Sequence, residues 1–289
     1  MKNIYLILKK YSNRTTFDLL KKSAEDRNIN VKPIYTEDFD FSTSLVLSKN
    51  DSIYRISTDK KSCLVEKFLA SIDVISFYKN HIDCIGKLDN VLECTLIHEK
   101  LNLPIIPTIY SLPRDKNLLR KYSDKLNKFP IIIKSTGGQH GVGVMKIDSL
   151  ESLYSISDYL SQEKNDFILR EFIDYVEHAR LIVLGNKVIS SIEYKRVKDD
   201  FRSNVGKNLE IINKNFGEKI NDIAIKSVNS LGYEFGGVDI LIDKEGNPFI
   251  AEVNFPCYFP RAQEYTDIDI SGQMIDFLIN KSKGKIATK

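Results

Sequence analysis

Residues 235–255 read FGGVDILIDKEGNPFIAEVNF. Two apolar runs flank the turn Asp243-Lys244-Glu245-Gly246-Asn247, which is the pattern of a β-hairpin. With Asp243 paired to Pro248, Asp239 falls directly opposite Glu252. Glu252 and Asn254 are two residues apart on one strand and share its face. Three oxygen-bearing side chains therefore converge on one surface of a mostly apolar hairpin. Burying carboxylates there is costly unless a cation or hydrogen-bond donors compensate. Such oxygens suit a hard cation like magnesium, which keeps water and substrate phosphates in its shell. A solvent-facing polar side would carry the same residues, but the apolar character of both strands favours the metal.

Upstream, residues 131–147 read IIIKSTGGQHGVGVMKI, with Gly137, Gly138, Gly141 and Gly143 between two strands. Without Cβ atoms, such a loop can bring several backbone N–H groups against phosphate oxygens. Lys134, at the end of the preceding strand, adds a point charge for the same phosphates. No GK[ST] closes the loop, so it is not a Walker A motif, and the strand that follows argues against a Rossmann fingerprint. Taken alone, the segment also reads as a plain hairpin tip.

Two further stretches bear on function. Residues 167–185, FILREFIDYVEHARLIVLG, pass from an apolar strand through Glu171 and Phe172 into an acidic stretch. Backbone groups at such a crossover can read an adenine edge, with a carboxylate nearby for the ribose; a plain strand-to-loop transition has the same composition. Residues 192–205, IEYKRVKDDFRSNV, concentrate Lys195, Arg196, Lys198 and Arg202 around two aspartates. Charge compensation for a phosphate, nucleic-acid contact and a solvated loop are all open for this stretch on its own.

The remaining chain reads as alternating strands and helices. Strands are expected at 4–8, 31–35, within 44–56, and at 72–77; helices at 16–27 and 60–70. This is a small α/β lobe. A helix from about 89 to 100 leads into LNLPIIPT, residues 101–108, whose prolines mark entry to a new lobe. Strands at 129–134, 142–146, 167–172, 181–184 and 187–195 follow, with helices at 150–160, 220–231 and 268–279.

The 289 residues carry 42 Lys and Arg against 39 Asp and Glu, a net charge of +3. That balance offers no general case for nucleic-acid or membrane binding. The start, MKNIYLILKK, has too short an apolar run for a signal peptide, and no segment approaches a membrane span, so a cytoplasmic location is expected. The cysteines, Cys63, Cys84, Cys94 and Cys257, show no CxxC spacing and read as free thiols.

Taken in order, FPIIIK, GGQHGVGV, DFRSN, GGVDIL, AEVN and IDISGQMIDFL resemble the ATP-grasp superfamily, in its RimK-like branch of carboxylate–amine (amino-acid) ligases. The resemblance spans roughly residues 87–280. It implies an α/β (α+β) ATP-grasp fold: an N-terminal pre-ATP-grasp α/β domain at 1–88, a central subdomain with the glycine loop at 89–180, and a C-terminal subdomain with the metal site at 181–285. By the same resemblance, Lys134 and the glycine loop (Gly137, Gly138, Gly141, Gly143) bind ATP phosphates, and Glu171, Phe172 and Ile173 contact adenine. Asp239, Glu252 and Asn254 hold magnesium, as two ions, with manganese as an alternative. Arg202 and Asn204 face the phosphates and the acyl-phosphate.

Some positions depart from the family pattern. Where relatives carry Asp-Lys, this chain has Asp89-Asn90, with Lys87 the nearest replacement. The ribose acid is replaced by His178, which leaves Glu177 or Asp174 for that role. A Gly-Gly after DFRSN becomes Asn208-Leu209, and FPCYFPRAQEY follows the metal asparagine. The implied activity is ATP- and Mg-dependent formation of an amide or peptide bond through an acyl-phosphate, with an amino-acid substrate. Its expected partners are small-molecule or peptide carboxylates and amines, with neither nucleic acid nor membrane, and a homo-oligomer is compatible with the family. The alternative is an ATP-grasp nucleotide-binding protein that has lost ligase chemistry.

Overall fold

The computed structural model of the chain describes residues 1–42, 45–87, 90–137, 142–163, 166–197, 200–202 and 209–285. Three sheets follow one another along the sequence. The first is parallel, in the order β2-β1-β3, from β1 (Asn3–Leu8), β2 (Asn30–Tyr35) and β3 (Asp51–Arg55). The second is antiparallel, in the order β4-β7-β5-β6, from β4 (Thr108–Ile109), β5 (Ile131–Ser135), β6 (Val144–Ile147) and β7 (Phe167–Glu171). The third is antiparallel, in the order β10-β9-β8-β11-β12, from β8 (Tyr175–Leu184), β9 (Lys187–Tyr194), β10 (Ile211–Asn213), β11 (Phe235–Asp243) and β12 (Pro248–Asn254).

Eight α-helices are formed among the described residues: α1 (Arg14–Glu25), α2 (Lys60–Phe68), α3 (Val91–Lys100), α4 (Lys116–Lys125), α5 (Leu150–Leu160), α6 (Glu218–Ser230), α7 (Pro260–Thr266) and α8 (Ile270–Ser282). Five of them begin where an Asp, Asn or Ser side chain accepts from a first-turn amide: Asp59, Asn90, Asp115, Ser149 and Asp269. Each satisfies a backbone donor that the helix leaves unpaired. The Asn90 of the Asp89-Asn90 departure is one of these caps, bonding the amide of Glu93 at 2.9 Å; Asp89 itself lies outside the described residues.

Side-chain alternation sorts the strands into layers. In β5, Ile131 and Ile133 pack with Leu119 of α4 and Leu153 of α5, so Ile132 and Lys134 face the other way. In the first sheet, Tyr5 and Ile7 pack toward Val65 of α2. Ile4, Leu6 and Leu8 join instead a core shared with Leu181 and Ile182 of the third sheet and Met274 of α8. The N-terminal segment is therefore held to the third sheet by a common hydrophobic core, each buried aliphatic side chain contributing about 1.5–3 kcal/mol. Tyr54 and Tyr78 reach across this seam to Phe255, at ring-centroid distances of 6.1 and 4.9 Å.

Two expectations change, and α4 is added. The strand expected over 72–77 is reduced to a single bridge between Ser52 and Ile75. The break expected between residues 180 and 181 falls inside β8, and the chain passes from second to third sheet at residues 172–174 instead. The other expected break, at 88/89, lies outside the described residues. α4 was not expected from the sequence; it buries Leu119 and Ser123 from a segment in which half the residues are charged. No helix among the described residues is long and apolar enough to cross a membrane.

Candidate active site

A cavity of about 570 Å³ opens where the second and third sheets meet. Glu171, Phe172 and Ile173, the crossover between those sheets, line it, as do Ile132 and Lys134 from β5 and Asp239, Glu252 and Asn254 from the hairpin. The N-terminal segment contributes Asn13, Thr16, Arg55 and Thr58.

On the acidic wall, Asp239 faces Glu252 across β11 and β12. The route to that register differs from expectation. Ile242, not Asp243, pairs with Pro248, and Ile240 pairs with Ile250; a bulge at Ala251 then restores Asp239 to Glu252. An extra residue in one strand re-aims the side chains beyond it, which is why bulges recur beside sites. Without it Asp239 would stand opposite Ala251.

Asp239 is 4% exposed. Arg180 Nη1 donates to its Oδ2 at 2.7 Å, Asn254 Nδ2 donates to the same oxygen at 3.1 Å, and His178 Nε2 stands 3.3 Å from Oδ1. Burial works against the charge on Asp239, but Arg180, His178 and Lys134 outweigh it and hold its pKa below the ordinary carboxylate value. Arg180 responds in the opposite sense: burial disfavours its charge, and Asp239 more than restores it. Lys134 Nζ donates to Glu252 Oε2 at 2.9 Å.

The cation fit follows from the oxygens left over. Asp239 Oδ1 is buried without a well-directed hydrogen bond, and Glu252 Oε1 and Asn254 Oδ1 make none among the described residues. Two carboxylates and an amide, each with one oxygen to spare, form a donor set for a hard cation. No cluster of three or more His, Cys, Asp or Glu suited to a metal occurs among the described residues.

Backbone packing holds these groups in place. A Cβ on Gly237 would lie 2.5 Å from Cys257 Sγ and 2.9 Å from Arg180 Cζ, so only glycine lets the arginine pass beneath β11. Arg170, an arginine inside an apolar strand, is buried; its Nη1 donates to the Ala251 carbonyl at 2.9 Å and its Nη2 to Thr95 Oγ1 at 2.7 Å. It thereby braces the bulge, and burial pulls its guanidinium down to about 10. Arg202 grips Asp200 through Nε and Nη2 at 3.0 and 2.9 Å.

The structure brings together most of the residues singled out in the sequence. Lys134, Gly137, Glu171, Phe172, Ile173, Arg202, Asp239, Glu252 and Asn254 all line the cavity. Gly143 sits just behind it: its φ of +79° and a Cβ position 2.9 Å from Ser135 Cβ both demand glycine, where the loop rejoins β6. Gly138, Gly141 and Asn204 lie outside the described residues.

Three candidate replacements fall outside the cavity lining. Glu177 does not line the cavity, because β8 alternates and turns His178 and Arg180 inward; Glu177 pairs instead with Lys214 at 2.8 Å on the other face. Asp174 is likewise outside the lining and pairs with Arg196 at 3.0 Å. Lys87 donates to the Leu231 carbonyl at 2.6 Å and does not reach the cavity. Sequence reasoning passed over Tyr194, Arg170, Asn13, Thr16 and Thr58. A charge within the apolar run 167–171 was the one available signal, for Arg170.

Residues 91–278 match the family model described as the RimK-like ATP-grasp domain. The chain belongs to this family. Over 197 residues it is 29% identical to "Probable alpha-L-glutamate ligase" of Maridesulfovibrio salexigens, covering 67% of this chain and 64% of that protein. Over 185 residues it is 28% identical to "Ribosomal protein bS6--L-glutamate ligase" of Salmonella paratyphi B, covering 63% and 60%. The matched part thus spans under two thirds of either relative. The fold of the RimK-like chain is also that of the ATP-grasp ligase PsnB, solved with a minimal precursor variant, Mg and ADP, at a TM-score of 0.75, 14% identity and coverage of 96% and 98%. D-cycloserine synthetase DcsG is similar to the same extent, with TM-score 0.74, 12% identity and coverage of 97% and 99%.

Proposed function

We propose that this RimK-like ATP-grasp chain is an ADP-forming carboxylate–amine ligase that uses ATP and magnesium and takes an amino acid as a substrate. The observation that carries the reading is a single cavity in which Lys134, Arg202 and the Asp239–Glu252–Asn254 set face the crossover 171–173. The named glutamate ligases among its relatives support the amino acid.

In this reading, adenine lies against Phe172, Ile173 and Ile132, and Lys134 leaves Glu252 for the phosphates. Asp239, Glu252 and Asn254 hold magnesium, two ions by the family pattern, with manganese as an alternative. When bound, the metal offsets phosphate charge. A carboxylate oxygen of one substrate attacks the γ-phosphorus and ADP leaves. The amine nitrogen of the second substrate then attacks the acyl carbon, and inorganic phosphate leaves, with the proton that the nitrogen gives up, as the C–N bond forms. Phosphoryl transfer asks the protein mainly for positioning and charge stabilisation. Lys134 and Arg202 supply the charge, and Asn254 and Arg180 orient Asp239. Small-molecule or peptide carboxylates and amines are the partners; nucleic acid and membrane have no part in this reading.

The test is ADP release from Mg·ATP against a panel of carboxylates and amines, with mass detection of products. Release that requires both substrates and yields a condensed product supports the ligase. Tight nucleotide binding without turnover across the panel would favour the binding-only alternative.

A further inference from the structure

Among the described residues, six Lys or Arg side chains line the cavity: Arg55, Lys134, Arg170, Arg180, Arg202 and Arg261. Five are engaged by the protein itself. Arg55 holds Glu66, Lys134 holds Glu252, Arg180 holds Asp239, Arg202 holds Asp200, and Arg170 donates to Ala251 and Thr95. Arg261 makes no hydrogen bond or ion pair among the described residues. The backbone that carries it is nonetheless set by packing. It stands in the first turn of α7 between Phe259 and Ala262, which are 0% and 2% exposed.

Tyr194 lines the same cavity, and its hydroxyl makes no hydrogen bond among the described residues. Burial pushes that hydroxyl up, against the opposing pull of Arg180 and Arg261, so it remains a protonated donor at neutral pH. The Tyr194 ring stands 5.3 Å from the His178 ring, and His178 stands 3.3 Å from Asp239 Oδ1. A cation and a donor without partners therefore lie next to the acidic wall, on residues from β9 and α7 that the nucleotide reading does not use. A guanidinium presents a planar fork that matches a carboxylate bidentately. Four of these cations are paired with carboxylates of the protein, Arg170 is held by neutral acceptors, and Arg261 is left open to one more anion.

We propose that Arg261, assisted by Tyr194, is the subsite for a substrate carboxylate that the reaction does not consume, which makes an amino acid with a free α-carboxylate the ligand class. The inference rests on the ligase reading for the role of that ligand. It extends the reading by assigning a specificity-determining residue in the segment where this chain departs from its family's pattern.

The test is calorimetric binding of a panel of L-amino acids and their α-carboxamides to the full chain with Mg·ADP, run beside ADP release. Wild type is expected to bind at least one acid roughly 10- to 100-fold more tightly than its carboxamide. Arg261→Ala should lose that preference with Mg·ADP affinity unchanged, Arg261→Lys should keep part of it, and Tyr194→Phe should lose part. The inference is overturned if wild type prefers no acid in the panel or if Arg261→Ala keeps the preference. Loss of Mg·ADP affinity in Arg261→Ala also overturns it, because the arginine would then serve the nucleotide. An Arg261-dependent acid preference without ADP release in any combination would sink the ligase reading and leave the subsite standing. ADP release that is unaffected by Arg261 substitution would do the reverse.

Discussion

Asp239 on β11 and Arg180 on β8 are direct cross-strand partners, with Arg180 Nη1 2.7 Å from Asp239 Oδ2 and both side chains buried. The arginine keeps the carboxylate ionised in a place where burial alone would neutralise it. Removing one partner of such a pair leaves an uncompensated charge. Arg180→Gln should therefore lose about 3–5 kcal/mol of stability in urea unfolding. A loss below about 1 kcal/mol would mean that the ion pair does not stabilise Asp239 in the fold.

Glu252 is more accessible, its side chain 36% exposed and bonded to Lys134. Glu252→Gln keeps the shape and removes the charge. Under the proposed function it should fold normally and release ADP about 10²–10³-fold more slowly, and Arg202→Ala should do likewise. Undiminished turnover in either variant removes that residue from the site.

Gly237→Ala places a methyl group 2.5 Å from Cys257 Sγ and 2.9 Å from the Arg180 guanidinium carbon. Overpacking of this kind costs about 1–3 kcal/mol. Adding Cys257→Ala should recover only part of the loss, since it clears the sulfur and not the arginine. Full recovery by the double variant, read from thermal unfolding, would show that Arg180 can move.

Glu177→Gln separates geometry from family pattern. The Glu177–Lys214 pair lies away from the cavity. The substitution should leave the KM for ATP unchanged and cost about 0–1 kcal/mol of stability. A raised KM for ATP would restore Glu177 to the ribose.

A pH signature is expected at Glu193, whose side chain is 3% exposed and bonded to Lys195 and Lys214 at 2.7 and 3.2 Å. Burial opposes its charge, but the two lysines outweigh burial and lower its pKa in the folded state. A depressed carboxylate pKa stabilises the fold above the unfolded value, near about 4.3, and that contribution fades as pH falls through the folded pKa. The stability gap between wild type and Glu193→Gln should therefore be largest at neutral pH and shrink below about pH 4. A gap independent of pH would show that the lysines do not act on the charge.

Much of this protein is legible because the signals are local. Period-two alternation marks β5 and leaves Lys134 facing away from the core that Ile131 and Ile133 join. The spacing of Glu252 and Asn254 puts them on one face whatever the strand pairs with. Expectation went astray where the deciding partner is distant in sequence. The run 72–77 has strand composition, yet only Ile75 forms a β-bridge. Glu177 is the acid nearest the expected ribose position in sequence, but the pairing of β8 with β9 and β11 decides which face it takes.

The sequence by itself determined the order of the elements, the hairpin, the glycine loop and the residue types the chemistry needs, since propensity, alternation and turn residues act over a few neighbours. Tertiary structure alone decided the bulge at Ala251 that sets Asp239 against Glu252, the arginine beneath Gly237, and that Arg261, among the described cavity cations, is left open. Those depend on pairing free energies between segments far apart in the chain, and a one-residue slip in any of them would turn every following side chain to the other face.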